Sequence, residues 1–382
     1  MSQQDAKLGS ADREEMRPPV CSLHAVSPAP HPQPGASGYE GAPGSPSPAG
    51  ERSLLPGYRL GPVRVSPGLA LAPMAGLTDL TFRRVVRRCG HRGLVVSEIL
   101  SSEGLIRGRL DPAEYLRIAP DEHPIALQLS GSDPERMAEA ARWCEGEGAD
   151  VVDINMGCPA SKVTKGFCGA ALLRDPALAA RVAGAVVRAV SLPVTVKMRL
   201  GWSESEMTFL EVARALEAEG VAGLALHART RRQGYSGEAD WGRVAQLKAA
   251  VSIPVVGNGD IRDPAQALSL WRRTGCDGLM VGRAAVKNPW IFRQIEELAG
   301  TGSYGQPSFE ERSRLILGHF EELLALGPPG LALHRMKSFL GKYTAGMAGA
   351  ASLRGALGST KEPAALLEAL REWLRSGGVA SS

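Results

Sequence analysis

The chain has 382 residues, a formal net charge of +4 at pH 7, 44% hydrophobic and 22% charged residues, and six cysteines. That length leaves room for more than one structural unit. No apolar run is long enough to span a bilayer or to serve as a signal-peptide core, and no CxxC pair or Cys/His zinc spacing occurs. A disulfide framework, a structural metal and a membrane partner are therefore not expected, and a monomeric cytoplasmic protein is.

In chain order, residues 1–55 are rich in Pro, Ser, Gly and Ala, too poor in large apolar groups to offset ordering entropy, and read as a disordered tail. Eight short apolar runs follow: LALAPM (69–74), GLVVSEIL (93–100), PIALQLSG (124–131), VVDINMG (151–157), PVTVKMRLG (193–201), GLALHAR (223–229), PVVGNGDI (254–261) and GLMVGR (278–283). Between most of them lie amphipathic stretches, several opening with Asp-Pro or Thr-Asp as helix starts. Strand, helix, strand at this spacing implies βαβ units and a parallel sheet. Eight units favour closure into a (β/α)8 TIM barrel over 56–304, and no GxGxxG follows the first strand to suggest a dinucleotide fold. From about 305 the pattern turns helical, which predicts a small all-helical domain over 305–376 and a disordered end at 377–382.

The chemistry-bearing residues cluster at the predicted C-terminal strand ends, where barrels keep their sites. Cys158, set between Gly157 and Pro159, is either an aimed, reactive thiol or one more packed thiol. The glycines of GNGDI (257–261) and VGRAA (281–285) sit where a backbone can approach a phosphate. Gln128, Lys197 and His227 supply donors toward the same mouth, a convergence that suits a phosphorylated ring cofactor. Arg107, Arg109, Lys162, Lys165, Arg199, Arg229, Arg231, Arg232, Arg283 and Lys287 make the mouth basic. Arg335, Lys337, Lys342, Arg354 and Lys361 do the same for a helical stretch without Asp or Glu. That is either a solvated helix face or a phosphate-backbone surface.

Taken together, LAPMAGLTDLTFRRV, SEIL, LQLSG, DINMGCPASKVTKGFCGAALL, VKMRLGW, HARTRRQGYSGEADW, GNGDI and VGRAAVKNPWIF resemble the bacterial-type tRNA-dihydrouridine synthases over residues 69–292. The segment RMKSFLGKYTAGMAGAASLRGAL is similar to that branch's helical RNA-binding domain. The resemblance implies FMN as cofactor, NADPH as its transient reductant and tRNA as partner. It makes Cys158 the general acid for carbon 5 of a uracil; a thiol suits this, holding its proton at neutral pH yet releasing it as negative charge grows. By the same resemblance Ala72, Pro73 and Met74 line the flavin ring, Gln128 meets its pyrimidine edge, and Lys197 and His227 contact it. Asn258, Gly259, Gly282 and Arg283 hold its phosphate. Asn155, Arg199 and Tyr235 face the substrate, and Arg335 and Lys342 bind tRNA. Cys168 stands, on the Cys158 loop, where the family usually has a small or variable residue. A small-molecule FMN barrel enzyme, or a tRNA-binding protein without flavin, remains the alternative.

Overall fold

The computed structural model describes residues 55–377 except 346, 348, 349, 351–353 and 356–359. Apart from Leu55 and Gly377, the expected tail 1–55 and terminus 377–382 lie outside the described residues. A hairpin, β1 (Tyr58–Leu60) and β2 (Val63–Val65), comes first. Eight parallel strands follow: β3 (Leu69–Leu71), β4 (Val95–Ser101), β5 (Ile125–Ser130), β6 (Val151–Met156), β7 (Val194–Arg199), β8 (Gly223–His227), β9 (Val255–Asn258) and β10 (Gly278–Val281).

Neighbours run β3-β10-β9-β8-β7-β6-β5-β4. The ring closes between the first and last of these, where Leu94 N donates to Leu69 O at 3.0 Å and Leu71 N to Leu94 O at 2.9 Å. This is the (β/α)8 TIM barrel expected from the eight apolar runs, each of which holds one strand. β5 and β6 are buried at every position, as strands covered on both faces must be. The Asp-Pro signals act as expected at three helix starts: Asp133, Asp175 and Asp263 each accept from an N–H three residues on, at 2.8–3.0 Å, with proline in the first turn. Each such cap contributes about 1 kcal/mol.

The hairpin was not anticipated. Its Tyr58, Leu60 and Val65 pack against Ala70, Val96, Ala126, Val151, Ala225 and Val256 inside the barrel. With small residues on the strands, this end of the barrel is filled from below, and chemistry is left to the opposite mouth.

Three long helices follow the barrel: Phe309–Leu326, Pro329–Tyr343 and Pro363–Arg375. They share the barrel's apolar cluster. Phe82, on the first barrel helix (Leu80–Arg88), stacks on Phe339 with ring centroids 5.2 Å apart, and His319 and Tyr343 complete the aromatic group. Buried polar contacts cross the same seam. Thr81 Oγ1 donates to Asp79 Oδ1 at 2.7 Å, so His319 Nε2 donates to Thr81 Oγ1 at 3.1 Å, and His319 Nδ1 accepts from the Tyr343 hydroxyl at 3.0 Å.

Candidate active site

At the C-terminal ends of the strands lies a cavity of about 530 Å³. Ala72, Pro73, Met74, Lys197, His227, Tyr235, Asn258, Gly259, Gly282 and Arg283 all line it, joined by Arg229, Asp260, Met280 and Lys287. Tertiary structure thus gathers residues from the ends of β3, β7, β8, β9 and β10, far apart in the chain, around one space.

The cavity is lined by apolar and by cationic residues. Ala72, Met74 and Met280 are apolar members of the lining. The Lys197 ammonium, also in the lining, has no hydrogen-bond or ion-pair partner among the described residues. Burial, with Arg199 adding to it, lowers its pKa to about 8. Burial and then the positive charges of Lys197, Arg199, Arg229 and Arg283 hold His227 far below the ordinary imidazole range, so it is neutral. Asp260 is the carboxylate that organises this side. It accepts from Arg229 Nη1 and Nη2 at 2.9 and 2.6 Å, from Ala239 N at 2.9 Å and from Arg283 Nη2 at 3.1 Å. Burial alone would raise its pKa, but these hydrogen bonds, led by Arg229, carry it downward. Arg283 also stacks 4.6 Å over the Tyr235 ring, which is 60% exposed.

Gly259 takes φ 126°, and a Cβ there would lie 2.8 Å from Ala239 Cβ and 3.2 Å from His227 Cδ2. Only glycine lets the β9 loop pass that close. Asn258 is committed in part to structure: its Nδ2 donates to Met280 O at 2.7 Å across to β10.

Cys158 is half-buried on the loop after β6. Its N–H donates to Asn155 Oδ1 at 2.9 Å and its carbonyl accepts from Ala170 N at 3.1 Å. Gly169, at φ 61°, faces it so closely that a Cβ would lie 2.8 Å from Cys158 O. Cys168 is also a free thiol; its Sγ faces Gly166 O at 3.2 Å and Ser132 Oγ at 3.7 Å.

Several residues expected to touch ligand serve structure first. Arg199, 2% exposed, donates Nε to Gly157 O and Nη1 to Thr230 O and Gly234 O, all at 2.9 Å, and so ties the Cys158 loop to the β8 loop. Gln128, fully buried, spends its amide on Asp153 and Asn155. Arg335 does not stand free on a helix: its Nη1 pairs with Asp79 Oδ2 at 2.8 Å, at the seam with the barrel. Lys342 bonds to its own helix at Ser338. Sequence reasoning passed over Asp260, Asp153 and the central role of Arg229. The available signal was a carboxylate inside the apolar run VVDINM and another two residues after Asn258.

A cationic, glycine-lined pocket at the C-terminal mouth of a (β/α)8 barrel is the place where barrel enzymes commonly hold a phosphorylated ligand. The sequence model of the dihydrouridine synthase (Dus) family matches residues 70–376. The chain is 41% identical over 318 residues to tRNA-dihydrouridine synthase B of Xanthomonas campestris pv. campestris, covering 82% of this chain and 95% of that one. It is 40% identical over 321 residues to the protein of that name from Pseudomonas syringae pv. tomato, covering 84% and 95%. Among solved structures, histamine dehydrogenase from Rhizobium sp. 4-9 aligns with a TM-score of 0.50 at 15% identity over 70% of this chain, and 2-naphthoyl-CoA reductase with 0.52 at 12% over 64%. The chain spans about half the length of those two proteins (51% and 52%), and what they share with it is the fold. This chain belongs to the dihydrouridine synthase family, FMN-dependent oxidoreductases that reduce uridine in tRNA.

Proposed function

We propose that this protein reduces the carbon 5–carbon 6 double bond of uridine in tRNA, with NADPH as the source of electrons and Cys158 as the proton donor. The observation that carries the reading is the cavity itself, lined by Ala72, Met74 and Met280 and by a half-buried lysine with no hydrogen-bond or ion-pair partner among the described residues, beside two glycine loops and the Arg229–Asp260–Arg283 cluster. These residues fit FMN. Ala72, Pro73, Met74 and Met280 would lie along its ring, Lys197 would sit by the ring's anionic edge, and Gly259, Gly282 and Arg283 would take its phosphate. Bound there, FMN supplies hydride to carbon 6.

The protein's own groups do the rest. Lys197 and neutral His227 would offer hydrogen bonds where negative charge collects. Cys158 then gives its thiol proton to carbon 5 on the other side of the base. Tyr235, with Arg283 and Arg199 over its ring at 4.6 and 5.7 Å, is 60% exposed and offers a ring against which an unstacked base could lie, which would offset part of the few kcal/mol needed to extract it from tRNA. Lys162, Lys165, Arg232 and Lys287 around the mouth have no ion-pair partner among the described residues and suit phosphate contacts. Residues 305–376 would extend that surface as the tRNA-binding unit, with Lys342 contributing.

Cys158→Ala tests the reading. The variant should stay yellow and oxidise NADPH slowly, while dihydrouridine formation falls about 10²- to 10⁴-fold, the range for a lost general acid. Near-normal product, read by mass spectrometry of tRNA, would remove Cys158 from the mechanism.

A further inference from the structure

Asp153 is a carboxylate buried inside the barrel, on β6, in a largely apolar setting with Leu60, Val96, Ala225 and Val256 nearby and the Lys197 charge acting on it. Burying it is costly unless every lone pair is used. Its Oδ1 accepts from Thr195 Oγ1 and its Oδ2 from Gln128 Nε2, both at 2.6 Å. Gln128 Oε1 accepts from Asn155 Nδ2 at 2.8 Å, and Asn155 Oδ1 accepts from Cys158 N at 2.9 Å and Gly157 N at 3.2 Å. The line of bonds therefore runs from Asp153 through two amides to the backbone of the thiol loop.

Such a line has a direction. A carboxylate only accepts and a backbone N–H only donates, so the two ends together allow one orientation of each amide. Turn Asn155 over and its NH2 faces the Cys158 N–H, which loses its acceptor; turn Gln128 over and its NH2 faces that of Asn155 while its oxygen faces the carboxylate. Burial raises the Asp153 pKa to about 6, which leaves the carboxylate ionised at neutral pH. We infer that Asp153 is a positioning residue for Cys158: acting through Gln128 and Asn155, it fixes the orientation of both amides and thereby caps the Gly157–Cys158 backbone. The inference rests on the proposed role of Cys158, but the geometry it concerns can be measured without turnover.

The readout is the rate at which iodoacetamide alkylates Cys158 in FMN-saturated protein, resolved by peptide mass spectrometry. Asp153→Asn alone leaves an escape, because the Thr195 hydroxyl can rotate to accept the new amide's proton. Thr195→Val closes it. Thr195→Val by itself keeps the carboxyl group and, assayed well above neutral pH because the lost Thr195 bond had helped to hold the Asp153 pKa down, should alkylate at the wild-type rate. Adding Asp153→Asn takes away the charged acceptor at that end: the new amide must either accept from Gln128 and bury its own NH2 unpaired against the new valine at position 195, or turn and force the line over. By loosening the cap on the thiol loop either way, it should make Cys158 react about fivefold faster, the ratio expected when one backbone hydrogen bond worth about 1 kcal/mol is lost. The kcat for tRNA should fall with KM for tRNA unchanged. Adding Gln128→Glu to that pair puts the acceptor one link along: the new carboxylate at position 128 accepts from the new amide at position 153 and from Asn155 Nδ2, and the slow wild-type rate should return.

Equal rates in all three proteins, or no return in the triple variant, would overturn the inference. Should the Asp153→Asn/Thr195→Val protein not fold, the triple variant decides alone, a slow rate supporting the relay and a fast one refuting it. Because alkylation reports the loop and not the acid, an active Cys158→Ala enzyme would sink the proton-donor assignment while leaving this result intact.

Discussion

Acidification from pH 7.5 to 5 should weaken this protein at the seam between barrel and C-terminal helices, through His319. The imidazole is fully buried, with its neutral form satisfied at both nitrogens by Thr81 and Tyr343 and its ring against Phe82 and Phe339. Burial depresses its pKa from 6.5 to about 4, against a weaker upward pull from Asp79. Because the folded value lies below the unfolded one, the unfolded chain takes the proton first. Stability is then intact above about pH 6.5 and falls as pH drops toward 4. By the usual conversion the loss is about 2 kcal/mol at pH 5 and about 3 kcal/mol at pH 4. Urea unfolding at pH 7.5, 6.0 and 5.0, followed by circular dichroism, measures it. His319→Gln should be less stable at pH 7.5, having lost a packed ring, yet show a shallower decline between 6.5 and 5. His91, depressed to about 3 by burial and by Arg87, has the same sign and supplies a remaining slope. If His319→Gln lost stability with pH as steeply as wild type, His319 would not be the group responsible.

Arg283→Ala should purify paler, because it removes one cation from the phosphate cradle, while Asp260→Ala should lose more flavin by freeing Arg229 as well; absorbance of the bound flavin per protein reads both, and the reverse order would refute the role given to Asp260. Truncation near residue 304 should aggregate and not yield a free barrel, since it exposes Phe82 and the rest of the shared aromatic cluster; a soluble, monodisperse yellow fragment would refute a common core. Arg335→Ala should lower Tm by unpairing Asp79, whereas Lys342→Ala should leave Tm alone and make the salt dependence of tRNA binding shallower, which filter binding at several salt concentrations will show.

The strands were legible because each is a short apolar run bounded by glycine, proline or aspartate, and burial on both faces leaves no room for polar alternation. The hairpin was not. Three residues per strand, with Arg59 and Arg64 pointing outward, give too few positions for a period-two pattern to stand out. The seam was illegible for another reason. Thr81 and His319 each look like ordinary positions of their own helices, and nothing local says that two residues 238 positions apart share a hydrogen bond. Of the site, the apolar lining and the glycine loops were readable from strand ends, while the directional bonding of Gln128 and Asn155 was not, because sequence gives a residue's donors and acceptors but not their facing.

Counting cations along the chain overstated what a ligand would meet. Arg199 is spent on three carbonyls, Arg229 on Asp260 and Arg335 on Asp79. For Arg229 the reason is strongest, because breaking its buried pair with Asp260 would leave an uncompensated charge that costs about 3–5 kcal/mol. What remains for ligands is a smaller set. Lys197 and Arg283 stand in the cavity, Lys287 at its edge, and Lys162, Lys165 and Arg232 outside on the rim. The division follows burial: the buried guanidiniums of Arg199 and Arg229 brace the loops with several bonds each, and the lysines, with the exposed Arg232 and Arg283, face solvent or the open cavity. The buried arginines therefore shape the site that the lysines are free to use.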